Sequence, residues 1–408
     1  MLPRSWQVLA CALSWPLLGA DPVPGVHLAR YGVGQGPLGG AQAVRIEGAA
    51  LVHTAQSLPI DASGALMGAD NPRTQVRHAL DNLARALESA GSSLDRLVRL
   101  NAITADARAT TALASEIEAR FRLDSRPAVT LVGGGLPIQG ALVALDAVAA
   151  AESRAVLQTE PIWAVSATLP RVPGASHAAV LPNGSHAYIS GMAADGEPEV
   201  AASDVLVQID AMLEYLQASH EQLVQLKCFL RPIASASRVE RRIVEFYGGR
   251  APPVVFVEWL NRQAIEIEAI VSMAPTEDAD GAQPIAHRTP PGTRASPVFS
   301  RIAEVFHPAS IYVSTLNGRT AGNAEQQIRE MFADLTEVLE QVGSDLGHLA
   351  KATYYVSDDS TSTALNQIRP EYYDPKSPPA ASKASVRGTA VPGRSLAVDM
   401  IAVPREQR

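Results

Sequence analysis

The chain has only two cysteines among its 408 residues, Cys11 and Cys228, and neither they nor its nine histidines form a CxxC or clustered metal-binding pattern. This scarcity argues against a disulfide framework and a structural zinc site. The chain also lacks a run of basic residues, and its formal net charge is −8, which disfavours binding to a nucleic-acid backbone. We therefore expect apolar cores to stabilise the fold, no cofactor, and a small molecule or a protein as partner.

Long apolar runs are equally scarce, and one mostly apolar stretch lies at the start of the chain. After Arg4, residues 5–18 are mostly apolar, and Gly19-Ala20 precedes Asp21-Pro22. The stretch is too short for a membrane span, and this order of segments is typical of a secretory signal peptide. We expect residues 1–20 to be removed, with the mature protein secreted or periplasmic; the alternative is a cytoplasmic protein with a short N-terminal tail.

The chain does contain one pattern of mostly apolar residues that occurs three times. Leu83, Leu87, Gly91 and Ser92 return as Leu335, Leu339, Gly343 and Ser344, and a weaker copy with Met212, Leu216 and Leu223 lies between them. The spacing of about 125 residues is too long for a solenoid repeat and matches a whole small domain. We therefore predict repeat 1 at residues 27–152, repeat 2 at 160–275, a linker at 276–294 and repeat 3 at 295–408.

Periodicity predicts the elements of one repeat. In repeat 1, residues 43–46 and 51–55 indicate a hairpin, residues 74–90 and 107–121 indicate helices, and residues 97–104, 128–132 and 141–149 indicate strands. The order is β-β-α-β-α-β-β. In repeat 2 the opening hairpin is predicted to turn at Asn183-Gly184, a strong hairpin signal, and in repeat 3 residues 302–306 and 311–314 take the same roles.

Two helices on one face of a mixed sheet leave the other face to be covered. Three such sheets in one chain can cover each other. The prediction is therefore an α+β protein in which three tandem domains form an intramolecular pseudo-trimer around a barrel-like core, and a monomer with internal threefold pseudo-symmetry.

The closing segments of the three repeats share a motif. Repeat 1 reads RPAVTLV over residues 126–132, Leu136-Pro137, and LVALDAVA over 142–149. Repeat 2 reads PPVVFV over 252–257 and IEIEAIV over 265–271; repeat 3 reads KASV over 383–386, Val391-Pro392, and LAVDMIA over 396–402. This motif resembles that of the reactive intermediate deaminase family (RidA, or YjgF-like). The resemblance implies a chorismate-mutase-like fold and ligand clefts between neighbouring repeats, because family members are usually homotrimers of one such domain.

The resemblance also implies a chemistry, the hydrolysis of a 2-imino acid or its enamine tautomer to a 2-keto acid and ammonia. A guanidinium at the position of Arg126 would clamp the substrate carboxylate, and a glutamate at the position of Glu266 would orient the attacking water. Aligned by motif, the Arg126 position holds Pro252 in repeat 2 and Lys383 in repeat 3. Small polar side chains would complete the site, at Ser190, Ser314, Thr54 and Asn366.

No single repeat holds both the arginine and the glutamate, since Ala144 and Ala397 replace the glutamate in repeats 1 and 3. Two functions of different class follow. The first is an imine or enamine deaminase working in one surviving cleft, and the second is a catalytically lapsed protein that binds a small carboxylate or a partner. Ribonuclease activity, which attaches to some family members, is disfavoured by the acidic charge and the absence of basic patches interleaved with aromatics.

Overall fold

The computed structural model describes residues 25–152, 160–274 and 283–405. The predicted signal peptide and residues 276–282 of the predicted linker lie outside the described residues. Within them, no helix combines the length and the apolar character needed to cross a membrane.

Each repeat contributes eight elements, in the order β-β-β-α-β-α-β-β, so the predicted order is confirmed with one strand added at the start. Repeat 1 comprises β1 His27–Tyr31, β2 Ala43–Glu47, β3 Leu51–Thr54, α1 Pro72–Ser89, β4 Leu97–Thr104, α2 Ala107–Arg120, β5 Ala128–Gly133 and β6 Val143–Ala150. Repeat 2 comprises β7 Ile162–Ala164, β8 Ala178–Leu181, β9 His186–Ala194, α3 Pro198–Tyr215, β10 Leu223–Leu230, α4 Ala236–Phe246, β11 Val254–Glu258 and β12 Ile265–Ser272. Repeat 3 comprises β13 Ile285–Arg288, β14 Ile302–Val305, β15 Ala309–Leu316, α5 Ala324–Gln341, β16 Leu349–Val356, α6 Asp359–Ile368, β17 Ala380–Ser385 and β18 Leu396–Ala402.

The first long helix of each repeat ends in a left-handed residue. Gly91 follows α1 with φ +69° and Gly343 follows α5 with φ +77°, as the sequence predicts for a C-terminal glycine. Repeat 2 has Gln217 at this point, with φ +54°. A left-handed glutamine carries a steric cost that glycine avoids, so the weaker middle copy keeps the conformation without its favoured residue.

The three predicted hairpins are wrong, although their strands exist. β2 lies between β1 and β15, and β3 lies between β6 and β8, so the two strands belong to different sheets. The same separation holds for β8 and β9 and for β14 and β15. At Asn183-Gly184 neither residue adopts the positive φ that a type I′ turn requires, and the chain there passes from one sheet to the next.

Strand exchange builds three six-stranded mixed sheets. Four strands of each sheet come from one repeat and two from another, in the orders β5-β4-β6-β3-β8-β7, β11-β10-β12-β9-β14-β13 and β1-β2-β15-β18-β16-β17. The start of the chain completes the sheet of repeat 3, which closes the ring. Each exchange covers a strand edge that would otherwise be exposed, and the sheets therefore do not coincide with the sequence repeats.

Apolar side chains form separate layers on the two faces of each sheet. Two helices pack on the outer face, as Leu83 of α1, Leu113 of α2 and Leu100 of β4 do in repeat 1, all fully buried. The inner faces of all three sheets pack on one another in a shared core that includes Leu51, Val305 and Ile401. The predicted α+β class and barrel-like threefold core are confirmed.

Candidate active site

The strand ladders define which residues of the three repeats are equivalent. Ala128 pairs with Arg99 on β4 and Ala380 pairs with Lys351 on β16, the third residue of each strand, whereas Val254 pairs with Leu226, the fourth residue of β10. Counting from these pairs, the equivalents of Arg126 are Ala251 and Pro378. The motif alignment of Arg126 with Pro252 and Lys383 is therefore wrong, because apolar runs alone do not fix a strand's position in its ladder.

Lys383 instead corresponds to Leu131 and Phe256, in the middle of its strand. The alignment of Glu266 with Ala144 and Ala397 is correct, since all three face the equivalent residue of the neighbouring strand.

We call the three junctions between repeats seams. In seam 2–3, β9 and β12 face β17 of repeat 3; in seam 3–1, β15 and β18 face β5 of repeat 1; in seam 1–2, β3 and β6 face β11 of repeat 2. Side chains from two repeats meet in every seam, so each seam combines residues that lie far apart in the sequence.

The guanidinium of Arg126 forms one hydrogen bond with the described residues. It lies just before β5, half-buried, and its Nη1 donates to the carbonyl oxygen of Gly39 at 3.1 Å. Its Nε is buried and has no hydrogen-bond partner in the described part of the chain. None of the ion pairs between described residues joins Arg126 to a carboxylate. Arg126 lies beside β5 in seam 3–1, whereas Glu266 lies on β12 in seam 2–3, so the two residues belong to different seams.

Two of the predicted polar residues, Ser190 and Ser314, join neighbouring repeats by hydrogen bonds to main-chain groups. The Ser190 hydroxyl donates to the carbonyl of Ser300 at 2.5 Å and accepts from the amide of Ala381 at 2.7 Å. Ser190 and Ala381 face each other across seam 2–3, and the serine is 1% exposed. Both of its hydrogen bonds are to main-chain groups of repeat 3, so the Ser190 side chain joins the two repeats.

Ser314 does the same in seam 3–1. Its hydroxyl donates to the carbonyl of Ala41 and accepts from the amide of Val129, both at 2.6 Å. The third equivalent position is Ala55, because the amides of Ala55, Ser190 and Ser314 all bond a carbonyl of the exchanged strands.

The alignment of Thr54 with Ser190 and Ser314 is therefore wrong by one residue, which reverses the face of the strand. Thr54 is buried, and its hydroxyl accepts from the amide of Ala147 at 3.0 Å.

Seam 2–3 brings Lys383 and Asn366 together with Glu266. The half-buried Lys383 ammonium donates to the hydroxyl of Ser362 at 2.9 Å and to Oδ1 of Asn366 at 3.0 Å. Burial lowers the pKa of Lys383, the positive charge of Arg369 acts in the same direction, and Glu266 opposes both. The electrostatic coupling links a repeat 3 cation to a repeat 2 acid, which neither repeat could supply alone.

Glu266 has a strongly perturbed carboxyl group. Burial raises its pKa to about 7, the neighbouring Glu268 acts in the same direction, and Ser382, Lys351 and Arg301 act against them. Ser382 Oγ is buried, and no described residue satisfies it with good hydrogen-bond geometry, although it lies close enough to lower the pKa of Glu266. A carboxyl that titrates near neutral pH in an incompletely bonded environment is typical of a catalytic acid or base.

Sequence reasoning missed two arginines at this seam. Arg301 precedes β14, its backbone carbonyl accepts from the amide of Ser190, and its charge acts on Glu266. Arg369 follows α6, with its guanidinium 4.9 Å from the ring centre of Tyr354. Both Nε atoms are buried, and neither has a partner within the described ranges. No motif marks them, because Arg301 reaches this seam only through strand exchange.

Gly191 makes room for the glutamate. A Cβ atom at Gly191 would lie 2.1 Å from Oε1 of Glu266, so any side chain there would displace the carboxylate. By the ladder, the equivalents of Gly191 are Gln56 and Thr315, and both stand opposite an alanine at the Glu266 position. The large acid and the absent side chain thus form a matched pair, which only one seam has.

The other two seams have lost this chemistry. Leu131 and Phe256 stand at the Lys383 position, and Ala114 and Glu240 at the Asn366 position. Burial raises the pKa of Glu240 to about 7, but its seam holds an aromatic ring where seam 2–3 holds the ammonium. Seam 2–3 is therefore the candidate active site.

Comparison with known proteins agrees with this architecture. The family model described as Endoribonuclease L-PSP matches residues 41–151 and 310–404, half of the chain, in repeats 1 and 3. Similar solved structures include a YjgF family member from Neisseria meningitidis (20% identity, 30% of this chain and 97% of that one, TM-score 0.23).

Others are a conserved Rid family protein from Yersinia pestis (22% identity, 31% of this chain and 98% of that one, TM-score 0.28) and a hypothetical protein from Giardia lamblia (30% identity, 27% and 87%, TM-score 0.23). With a family model matched over half of its length, the chain belongs to the Endoribonuclease L-PSP family, as a RidA-like protein.

Proposed function

We propose that this protein hydrolyses a 2-imino acid or its enamine tautomer to a 2-keto acid and ammonia, in seam 2–3. The observation that carries the proposal is that Glu266, whose pKa is raised to about 7, lies at the same seam as the Lys383 ammonium and acts on it electrostatically. The other two seams offer no such pair among the described residues, so we assign the reaction to one cleft of three.

The positive charges of the seam suit a substrate carboxylate. Lys383, Arg301 and Arg369 supply three cations, against the single perturbed acid Glu266. We assign the main contact with the carboxylate to Lys383, because its ammonium is half-buried and already oriented by Ser362 and Asn366. An ammonium binds as a point charge, and the two arginines add to the field around it.

Glu266 then serves as the proton carrier. Its carboxylate accepts a proton from a water molecule as the water oxygen forms a bond to the imine carbon, and it passes that proton to the imine nitrogen, which gives a neutral tetrahedral carbinolamine. The carboxylate then accepts the proton of the carbinolamine hydroxyl and passes it to the nitrogen as the C–N bond breaks, so that the carbonyl forms and ammonia leaves. A pKa near 7 suits both halves of this cycle, since the group must accept and donate a proton at the same pH.

The test is ammonia release from a 2-imino acid generated in the assay by oxidation of the amino acid. Glu266→Gln keeps the shape and removes the base, so turnover should fall by about 10²–10⁴-fold, the usual contribution of a general base. Glu245→Gln, an exposed glutamate on α4, is the matched control and should keep full activity. Unchanged turnover in a folded Glu266→Gln protein would exclude the mechanism.

A lapsed binding protein is the second candidate. It is favoured by the ammonium at Lys383, since a lysine lacks the bidentate fork that an arginine offers a carboxylate. In that case calorimetry should detect binding of a 2-keto acid, weakened by Lys383→Met, while no ammonia is released by the unsubstituted protein. Turnover by the unsubstituted protein above the uncatalysed rate would reject this candidate.

A further inference from the structure

The pseudo-threefold axis holds a second group of ionisable side chains, away from the seams. Four equivalent positions of each repeat point inward from the middle of the sheets. Each position contributes one residue from repeat 1, one from repeat 2 and one from repeat 3. The four sets are Arg99, Gln225 and Lys351; Asn101, Lys227 and Thr353; Asp146, Glu268 and Asp399; and His53, Tyr188 and Tyr312. We call these twelve residues the axial cluster. It contains three cations and three carboxyl groups, and eleven of its members line a cavity of about 40 Å³.

The carboxylates of the axial cluster are largely engaged. Glu268 accepts from the Lys351 ammonium at 2.5 Å. Asp399 Oδ1 lies 3.5 Å from Nη1 of Arg99, and the hydroxyl of Tyr355 donates to its Oδ2 at 3.3 Å. Asp146 accepts from the Asn101 amide at 2.6 Å. Few acceptors therefore remain available to the cavity.

Several donors remain free. The Lys227 ammonium lies 3.8 Å from the closest Glu268 oxygen, beyond hydrogen-bond range, and forms no hydrogen bond with any described residue. Arg99 Nε and both ring nitrogens of His53 are buried and unpartnered within the same described part of the chain. A neutral imidazole offers one donor and one acceptor, and the buried Asn101 Oδ1 is a further acceptor without a partner among the described residues. With three N–H groups on Lys227, donors still outnumber these acceptors around the cavity. Buried donors without acceptors are costly, so a ligand that accepts from them would stabilise the fold.

Burial lowers the pKa of Lys227, but Glu268, Asp399 and Asp146 raise it more, so the ammonium stays charged beside the cavity. Burial lowers the pKa of His53 to about 3, with further contributions from His186, Arg99 and Lys227, so the ring is neutral and finds itself in a positive field. Burial raises the pKa of Asp146 to about 6, so the cluster gains net positive charge as this carboxyl protonates. The cavity exceeds the ~10–15 Å³ that one water needs, yet it is far below the ~300–1,000 Å³ of ordinary ligand pockets.

We propose that the axial cavity binds a small monovalent anion of halide size, held by the Lys227 ammonium, Arg99 Nε and the His53 N–H. The cavity is too small for a 2-keto acid, so this site is separate from the candidate active site in seam 2–3. The anion would satisfy donors from repeats 1 and 2 at the point where the inner faces of all three sheets meet, and would stabilise the closed ring.

The first test is a crystal structure of the full chain grown with sodium bromide, with data collected at the bromine absorption edge. The expected result is an anomalous peak within about 3.5 Å of Lys227 Nζ, a contact length for a large anion slightly beyond an N–H···O bond. Density that fits only water, without an anomalous peak, would overturn the proposal, and this measurement needs no variant to fold.

The second test is thermal unfolding in chloride or bromide against gluconate at equal ionic strength, since gluconate is too large for the cavity. A ligand that binds only the folded state raises the midpoint with the logarithm of its concentration, so the halides should raise it and gluconate should not. Lys227→Met should lower the apparent halide affinity by about ten- to a hundredfold, the effect of losing one charge-assisted bond. Lys376→Met, at an exposed lysine, should leave it unchanged. Equal stabilisation by gluconate, or an unaltered halide response in Lys227→Met, would overturn the proposal.

Discussion

Seam 2–3 and seam 3–1 share a backbone arrangement and differ in what they place upon it. Ser190 and Ser314 make the same two main-chain hydrogen bonds in the two seams. Beyond that, seam 2–3 has the Glu266 carboxylate against Gly191, whereas seam 3–1 has Ala397 and Thr315 at the equivalent positions. The comparison indicates that the hydrogen bonds joining two repeats do not depend on the ionisable side chains of the seam. A seam without those side chains can therefore still hold the ring closed.

Fusion of the three repeats makes such divergence possible. In a homotrimer every substitution appears in all clefts at once, whereas here each position changes singly. Lys383 can replace an apolar residue in one seam while Leu131 and Phe256 remain in the others.

The largest expected effect comes from giving seam 2–3 the side chain of seam 3–1. In Gly191→Thr the new Cβ lies 2.1 Å from Glu266 Oε1, so the carboxylate must move. Ammonia release should fall as far as it does on loss of the base, about 10²–10⁴-fold, and stability by about 1–3 kcal/mol from overpacking. Adding Glu266→Ala should restore the stability without restoring activity. Full activity in Gly191→Thr would show that the matched pair is not needed.

The Lys383 and Arg126 positions give the next largest contrast. Lys383→Met should weaken binding of a 2-keto acid by about ten- to a hundredfold, because it removes a charge-assisted contact. Arg126→Ala should leave the affinity unchanged, since its guanidinium bonds only the Gly39 carbonyl among the described residues. Calorimetric titration of both variants with a 2-keto acid measures the two affinities. A larger loss of affinity in Arg126→Ala than in Lys383→Met would show that Arg126 of repeat 1 binds the carboxylate.

The hydrogen bonds of Ser190 and Ser314 between repeats are tested by serine-to-alanine substitutions. Ser190→Ala and Ser314→Ala each leave a buried amide, of Ala381 or Val129, without its acceptor, which costs about 1–3 kcal/mol. The two losses should be similar, because the geometry is the same in both seams. Denaturant unfolding measures them, with Ser63→Ala at an exposed loop serine as control. A loss in only one variant would contradict the equivalence of the seams.

The last expected effect is a pH dependence to which Glu266 in seam 2–3 contributes. The folded-state pKa of Glu266, about 7, lies above the ordinary value of 4.5. The folded protein therefore binds more protons than the unfolded chain between these values, and this carboxyl lowers stability as pH rises from about 4.5 to about 7. Turnover should change in the opposite direction and increase as pH rises through about 7, because the base must be ionised. Glu266→Gln should make the stability profile less steep over this range, because Glu240 and Asp146, whose pKa values burial raises to about 7 and about 6, still titrate there. An identical profile in the variant would contradict the assignment.

The helices and strands could be predicted because they depend on local periodicity. Leu97–Thr104 is the predicted strand to the residue, and α1 differs from its prediction by one or two residues at each end. The threefold repetition then predicted the ring, since three half-covered sheets need one another's faces.

Strand pairing could not be read in this way. An edge strand pairs equally well with a strand of its own repeat or of another, and its side-chain pattern is the same in both cases. This is why the hairpins at residues 43–55, 178–189 and 302–314 were wrong, and why Arg301 was missed at a seam that it reaches only by exchange.

For the candidate site, too, some features could be predicted from the sequence and others depend on the tertiary structure. The sequence by itself determined the residue types that suit carboxylate chemistry, Glu266, Lys383 and Asn366, and the absence of a complete set in any one repeat. Only the tertiary structure decided that these three meet, because a seam joins strands from two repeats. It also decided that Arg126 and Thr54 lie apart from them, because the position of a strand in its ladder depends on long-range hydrogen bonds that a local apolar pattern does not encode.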